Sequence, residues 1–343
     1  MSIRVPVCRT VTLILATFAL LSAAWAKDFP LAVIFNSTPP PLGIYAGGPV
    51  YKEDRRAGTI AELVDSQFTE ILVWSVHVDE NHGLDLNMEF PLVKDGLYVG
   101  NATHPGFPGD LERLRAGGKR RITLSIGAAG SPAFSRIRNL IQSEGTGANS
   151  TLHRNFSSLK KALPAVTTID FNDEVTYDAD SMTKFAVLLA DLGFKVSLCP
   201  YDVRYRSVWQ DVARRVNEQR PGTIQSINLQ CYGGGRSNNP STWTFPGIPV
   251  YPGVWAKGVD ASGVNRGEET TTSATRKYAD WKKSSQTSGG FVWLYDEIQG
   301  KAGTFADAIV KGLQGNTFKA GLKDSFPYTT TPSSKRGDPR VRP

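Results

Sequence analysis

Three polar side chains at spacing two stand in one short run: Asp170, Asn172 and Glu174 in TTIDFNDEVTYD, residues 167–178. Spacing two is the period of a β-strand, so the three project to one face and Ile169 and Phe171 to the other. Acid and amide groups on one strand face are costly to bury unless they have partners or a task. The run therefore reads either as a catalytic strand, with a carboxylic acid for proton transfer, or as the polar face of an edge strand. Asp173, of opposite parity, is read as an outward surface carboxylate.

The same pattern recurs at other apolar runs. They end in Ser125-x-Gly127, in Tyr201, in Asn228-x-Gln230-x-Tyr232 and in Trp293-x-Tyr295. Period-two polar or aromatic endings on several strands are hard to explain as solvated edges. Other chemistries fit poorly. His77 and His82 lack a third ligand nearby, so no metal site is expected. Ser125 has no His and Asp in an evident relay. GGGRSNNP (233–240) lacks the Lys-Ser/Thr of a phosphate loop and reads as a flexible connection. No cofactor is expected. Trp209 and Trp281 fall on helical patterns and read as packing residues, whereas Trp243 and Trp255 are open to either role.

The elements that must position these residues alternate. Strands are expected at 30–37, 71–78, 121–130, 165–172, 195–201, 226–232, 249–256 and 289–297, separated by helical patterns such as DSMTKFAVLLADLG. Residues 85–100 read as a hairpin around Lys94-Asp95-Gly96. Eight alternating units predict an α/β protein, a single (β/α)8 TIM barrel with a β-hairpin insertion after strand 2, in which active residues gather at the C-terminal strand ends. A doubly wound sheet would want a Gly-rich phosphate turn after its first strand, where this chain has NSTPPPLG.

Residues 1–26 carry Arg4 and Arg9, then a short apolar stretch closing on Ala24-Trp25-Ala26, and read as a secretion signal. The barrel is expected over 27–319 and a disordered basic tail over 320–343. Of the net charge of +7, two units belong to the signal and three to the tail, leaving +2 on the body. A body this close to neutral argues against a nucleic-acid partner. With the signal cleaved no membrane segment remains, so a secreted, soluble monomer, extracellular or periplasmic, is expected. Cys199 and Cys231 are free to pair or not in such a compartment, and sequons occur at Asn36, Asn101, Asn149 and Asn155.

From residue 30 to about 315 the chain resembles glycoside hydrolase family 18, the chitinases and endo-β-N-acetylglucosaminidases. LSIGAAGSPAF (124–134) is similar to the family's third-strand S-x-G-G motif, with Ala128 for the second Gly. IDFNDE (169–174) is similar to the end of its D-G-x-D-x-D-x-E run, with Thr167-Thr168 for Asp-Gly and Asn172 for the middle Asp. LQCYGGGRSNNP (229–240) is similar to its sixth-strand Tyr motif. The resemblance implies a substrate-assisted, retaining hydrolysis of β-1,4 bonds in N-acetylglucosamine-containing glycans. Glu174 would be the acid, Asn172 would orient the substrate acetamide, Asp170 would support it and Tyr232 would bind the acetamide oxygen. Ser125, Gly127, Tyr201, Gln230, Trp293 and Tyr295 would line the sugar site. Asn172 leaves two readings open: an amide that still accepts the acetamido N–H, or a weakened site in a glycan-binding, lectin-like barrel.

Overall fold

Eight parallel strands pair in sequence and the last returns to the first, closing a barrel. The computed structural model describes residues 39–315. The strands are β1 (Leu42–Ala46), β2 (Glu70–Val78), β3 (Arg121–Ile126), β4 (Val166–Phe171), β5 (Lys195–Leu198), β6 (Ile224–Gln230), β7 (Val250–Trp255) and β8 (Gly290–Trp293). Among the described residues eight α-helices cover them: α1 (Arg56–Asp65), α2 (Phe107–Arg115), α3 (Ala133–Glu144), α4 (Thr151–Ala162), α5 (Ala179–Asp191), α6 (Arg206–Gln219), α7 (Thr271–Ser285) and α8 (Ala302–Leu313). This is the (β/α)8 architecture, with two helices between β3 and β4. Between β6 and β7 the described chain forms only the short 3-10 turns Gly233–Ser237 and Pro240–Thr242.

Three short strands, Leu84–Leu86, Phe90–Lys94 and Leu97–Tyr98, extend β2 as antiparallel neighbours. Their last turn is Asp95-Gly96, both at positive φ, as a two-residue hairpin loop requires. A further small pair, Gly258–Val259 with Asn265–Arg266, follows β7 and was not legible in the sequence.

The expected signal, the expected strand at 30–37, the Asn36 sequon and the basic tail lie outside the described residues. The strand that pairs with both β2 and β8 is β1, in the stretch that reads as a turn because of its Pro and Gly. Gly43 leaves room there: a Cβ would come within 3.0 Å of Leu72 and 3.2 Å of Phe291, and these side chains would have to give by a few tenths of an ångström.

Two apolar layers fix which way each strand residue points. Outside the strands, Phe171 of β4 packs on Phe134 of α3 and Phe185 of α5, with ring centroids 5.2 Å away in each case. Trp209 and Trp281 pack against this outer layer too. Inside, Tyr45, Leu72, Cys199, Tyr232, Phe291 and Leu294 form a second cluster edged by Trp74, Trp255 and Trp293. Since Phe171 faces outward, Asp170 faces the lumen. The strand-start end of the lumen holds Glu70, which accepts from Thr123 Oγ1 at 2.6 Å and pairs with Arg121.

Burial decides some chemistry. Asn155 is 1% exposed and bonded to Gly96 N and His82 O, so that sequon is not an open glycan acceptor. Cys199 and Cys231 are both free and buried. Among the described residues no helix is long and apolar enough to cross a membrane.

Candidate active site

Register builds the deepest part of the site. Ser125 of β3 lies opposite Asp170 of β4, and Asp170 lies opposite Ser197 of β5. Three inward side chains in one row bring two hydroxyls onto one carboxylate. Ser125 Oγ donates to Asp170 Oδ2 at 2.8 Å and Ser197 Oγ to Oδ1 at 2.5 Å. Tyr45 of β1 adds its hydroxyl to Oδ2 at 2.9 Å, and Asn228 of β6 its amide to Oδ1 at 3.2 Å. Asp170 is fully buried with four donors and no basic partner among them. Burial drives its pKa up to about 6, while the hydrogen bonds from Ser197, Ser125 and Tyr45 pull the other way.

Above it stand the amide and the acid. Asn172 is 2% exposed and tied to β3 by its own N–H, which donates to Ile126 O at 2.9 Å. Gln230, at the end of β6, donates from one amide nitrogen to Asn172 Oδ1 at 2.9 Å and to Glu174 Oε1 at 3.2 Å. The two site residues are thus linked through one side chain. Glu174 is half-buried, and desolvation raises its pKa above the ordinary carboxylate value, opposed by the Gln230 bond and reinforced by Asp173. A carboxyl in this state holds its proton to higher pH, as a general acid must.

Asp173 is not the surface carboxylate the sequence pattern suggests. It is 1% exposed and accepts the backbone N–H groups of Val175, Thr176 and Tyr177 at 3.0, 2.8 and 2.6 Å. It caps the turn that follows β4. Tyr177 in that turn takes φ +50° and stacks on Tyr205, with centroids 3.7 Å apart. This turn carries Glu174 over the lumen.

An aromatic pavement lies beside the acid. Trp293 packs edge-on to Trp74 at 4.7 Å and nearly parallel to Tyr232 at 6.4 Å. The hydroxyl of Tyr232 is buried and has no hydrogen-bond partner among the described residues. A buried hydroxyl without a partner is costly. Trp255 donates its indole N–H to Glu297 Oε2 at 2.7 Å. Next to Trp74 opens a cavity of about 300 Å³ lined also by Lys52, Asn87, Glu89 and Asp296.

Of the residues singled out by sequence, Asp170, Asn172, Glu174, Gln230, Tyr232 and Trp293 come together here. Others serve them from behind. Ser125 is fully buried under Asp170. Gly127, at φ +87°, sits where a Cβ would lie 2.5 Å from the Asn172 carbonyl oxygen. Tyr201 accepts from Gly234 N at 2.7 Å and so pins the loop after β6. Tyr295 lies elsewhere: it is 1% exposed, belongs to the outer layer and donates to Glu62 of α1 at 2.8 Å, so it offers no sugar platform. The Trp293–Leu294 peptide is cis, and both these residues sit with the inner cluster. Sequence reasoning missed Tyr45, Trp74 and Ser197. Tyr45 lies just past the turn-like NSTPPPLG, in residues assigned to no strand, whereas Ser197 shares the parity of Tyr201 on a run already read as a strand.

The sequence matches no protein-family model and no curated protein sequence. Solved structures are similar in fold. Active domain 2 of a chitinase from Pyrococcus furiosus aligns with TM-score 0.53 at 13% identity over 82% of this chain and 98% of its own. The catalytic domain of psychrophilic chitinase B from Arthrobacter TAD20 aligns with TM-score 0.52 at 12% identity over 80% and 96%. The spore cortex-lytic enzyme SleL of Bacillus cereus aligns with TM-score 0.51 at 11% identity over 79% and 74%. At this distance the likeness is one of barrel architecture.

Proposed function

We propose that the chain is a glycosidase that cleaves β-1,4 bonds in glycans containing N-acetylglucosamine, using Glu174 as the acid. The observation that carries this reading is the Gln230 bridge. It holds an amide carbonyl and a proton-retaining carboxyl side by side, against an aromatic pavement with an unpaired tyrosine hydroxyl.

In this mechanism Glu174 gives its proton to the glycosidic oxygen as the bond to the anomeric carbon breaks. The substrate's own acetamide oxygen forms the new bond to that carbon, giving an oxazolinium ion. Glu174, now ionised, takes a proton from the water that reopens the ring, so the configuration is retained. Asn172 Oδ1 has two lone pairs, so it can accept the acetamido N–H while keeping Gln230. Tyr232 donates to the acetamide oxygen. Trp293 and Trp74 supply apolar faces for sugar rings. That the similar folds include chitinases agrees with this substrate class.

One feature favours a second reading, a glycan-binding barrel with weak or no turnover. An amide at 172 cannot carry negative charge beside the developing cation, and active-site electrostatics of this kind amount to a few kcal/mol. Turnover of chitooligosaccharides and of a high-mannose glycoprotein, offered side by side, separates the two. Asn172→Asp is expected to raise kcat by about tenfold or more. The added carboxylate should also lift the pKa of Glu174 further, moving the alkaline limb of the pH–rate curve upward. An unchanged or lower rate would mean a site built around the amide.

A further inference from the structure

Away from Glu174, at the opposite end of the barrel, a cavity of about 540 Å³ opens between the segment that descends to β7 and the α7–β8 connection. Its lining includes Val250, where β7 begins, and Ser284–Ser288, just before β8. The six-residue β7 separates its start from its end by roughly 17 Å. The cavity is therefore a separate place and not an arm of the mouth.

Its chemistry is unusual for a surface rich in charge. None of the described residues lining it is ionisable. Thr244, Gln286 and Ser288 line it with side chains that make no hydrogen bond among the described residues, and all three are exposed. Behind them stand Trp243 and Phe245, nearly parallel with centroids 6.4 Å apart. Trp243 is 1% exposed, yet its indole N–H is buried without a partner among the described residues. A buried donor without a partner is costly, and none of the described residues supplies its acceptor. Free hydroxyls, a free amide and an apolar wall without charge match a neutral polyhydroxylated ligand. Ions would meet no counter-charge, and an apolar peptide would bury the hydroxyls unpaired.

We propose that this cavity is a second glycan site that takes a neutral sugar chain, remote from the reaction end. It does not depend on the role proposed for Glu174. Such a site would hold one part of a polymer while another part lies across the mouth, raising the local concentration of substrate without touching the chemistry.

The test uses the full chain carrying Glu174→Gln, titrated with chitotetraose and separately with cellotetraose, and reads the tryptophan indole N–H resonances. Trp243→Phe, which keeps a ring, identifies the Trp243 signal by its loss. That signal should shift with sugar in a saturable way. Ser288→Arg, an exposed change that brings charge into the cavity, should raise the Kd read at Trp243 at least tenfold and leave turnover of a short soluble glycan unchanged in the Glu174 chain. Trp293→Ala should leave the Trp243 titration intact. A Trp243 signal that never moves overturns the proposal. So does one whose movement vanishes with Trp293→Ala but survives Ser288→Arg. A Trp243 response without any response at Trp293 supports the second site and counts against the mouth reading alone.

Discussion

Glu174→Gln is expected to abolish turnover of N-acetylglucosamine glycans while leaving them bound. General acids contribute about 10²–10⁴-fold to rate, so kcat should fall by about that range. KM or Kd should change little, because the substituted amide keeps the size of the side chain and an oxygen for Gln230 Nε2. The pH dependence makes the prediction sharper. The acid works protonated, so kcat/KM falls as pH rises through the pKa of Glu174. Desolvation sets that pKa above the ordinary value, so the alkaline limb should lie above the normal glutamate range. Residual turnover in the Glu174→Gln chain should lack this limb. Retained full activity, or an unchanged alkaline limb, would remove Glu174 from the role of acid. Loss of binding together with loss of turnover would point instead to damage at the Gln230 bridge.

How far the sequence led differs from residue to residue. The barrel was legible because seven of its strands are apolar runs of the right length and spacing, bounded by helical patterns. The fourth-strand cluster was legible because period two is simple geometry: Phe171 outward on Phe185, Asp170 inward on Ser125. The first strand was not, because Gly43 fits closely against Leu72 and Phe291, which are distant in sequence, and glycine also marks turns. Tyr45 was lost with that strand. Tyr295 misled for another reason. Extending the alternation of β8 past Trp293 placed it inward, yet β8 ends at Trp293 and the chain turns into a 3-10 helix whose tyrosine reaches Glu62 of α1. Asp173 misled similarly, since parity says where a strand side chain points and nothing about a turn beyond it. Pairwise partners such as Gln230 for Asn172 and Glu174 depend on neighbouring strand register, which no local pattern prints.

Asp170→Ala should destabilise the fold as well as the site, and Asp170→Asn should separate the two effects. The carboxylate is the shared acceptor for Tyr45, Ser125, Ser197 and Asn228, contributed by four other strands. Removing it leaves buried donors without a partner, at about 1–3 kcal/mol for each that cannot re-pair. Hydroxyls can rotate toward one another, so a net loss of about 3 kcal/mol or more is expected for Ala, read as a lower urea midpoint with unchanged slope. Asn keeps one acceptor oxygen and the volume, so its loss should be smaller. Its pH signature carries the sign. In the folded chain burial raises Asp170 from 3.8 to about 6, so the fold binds its proton more tightly than the unfolded chain does. The resulting stability is fully present below the unfolded pKa and is lost as pH rises through about 6, an effect of about 3 kcal/mol. Subtracting the pH–stability curve of Asp170→Asn from that of the parent should expose this fall between about pH 4 and 6. Equal slopes in both chains would mean that the four donors offset the burial and leave Asp170 at its ordinary pKa, so that near neutral pH the site's floor is a fixed negative charge beneath Asn172 and not a proton store.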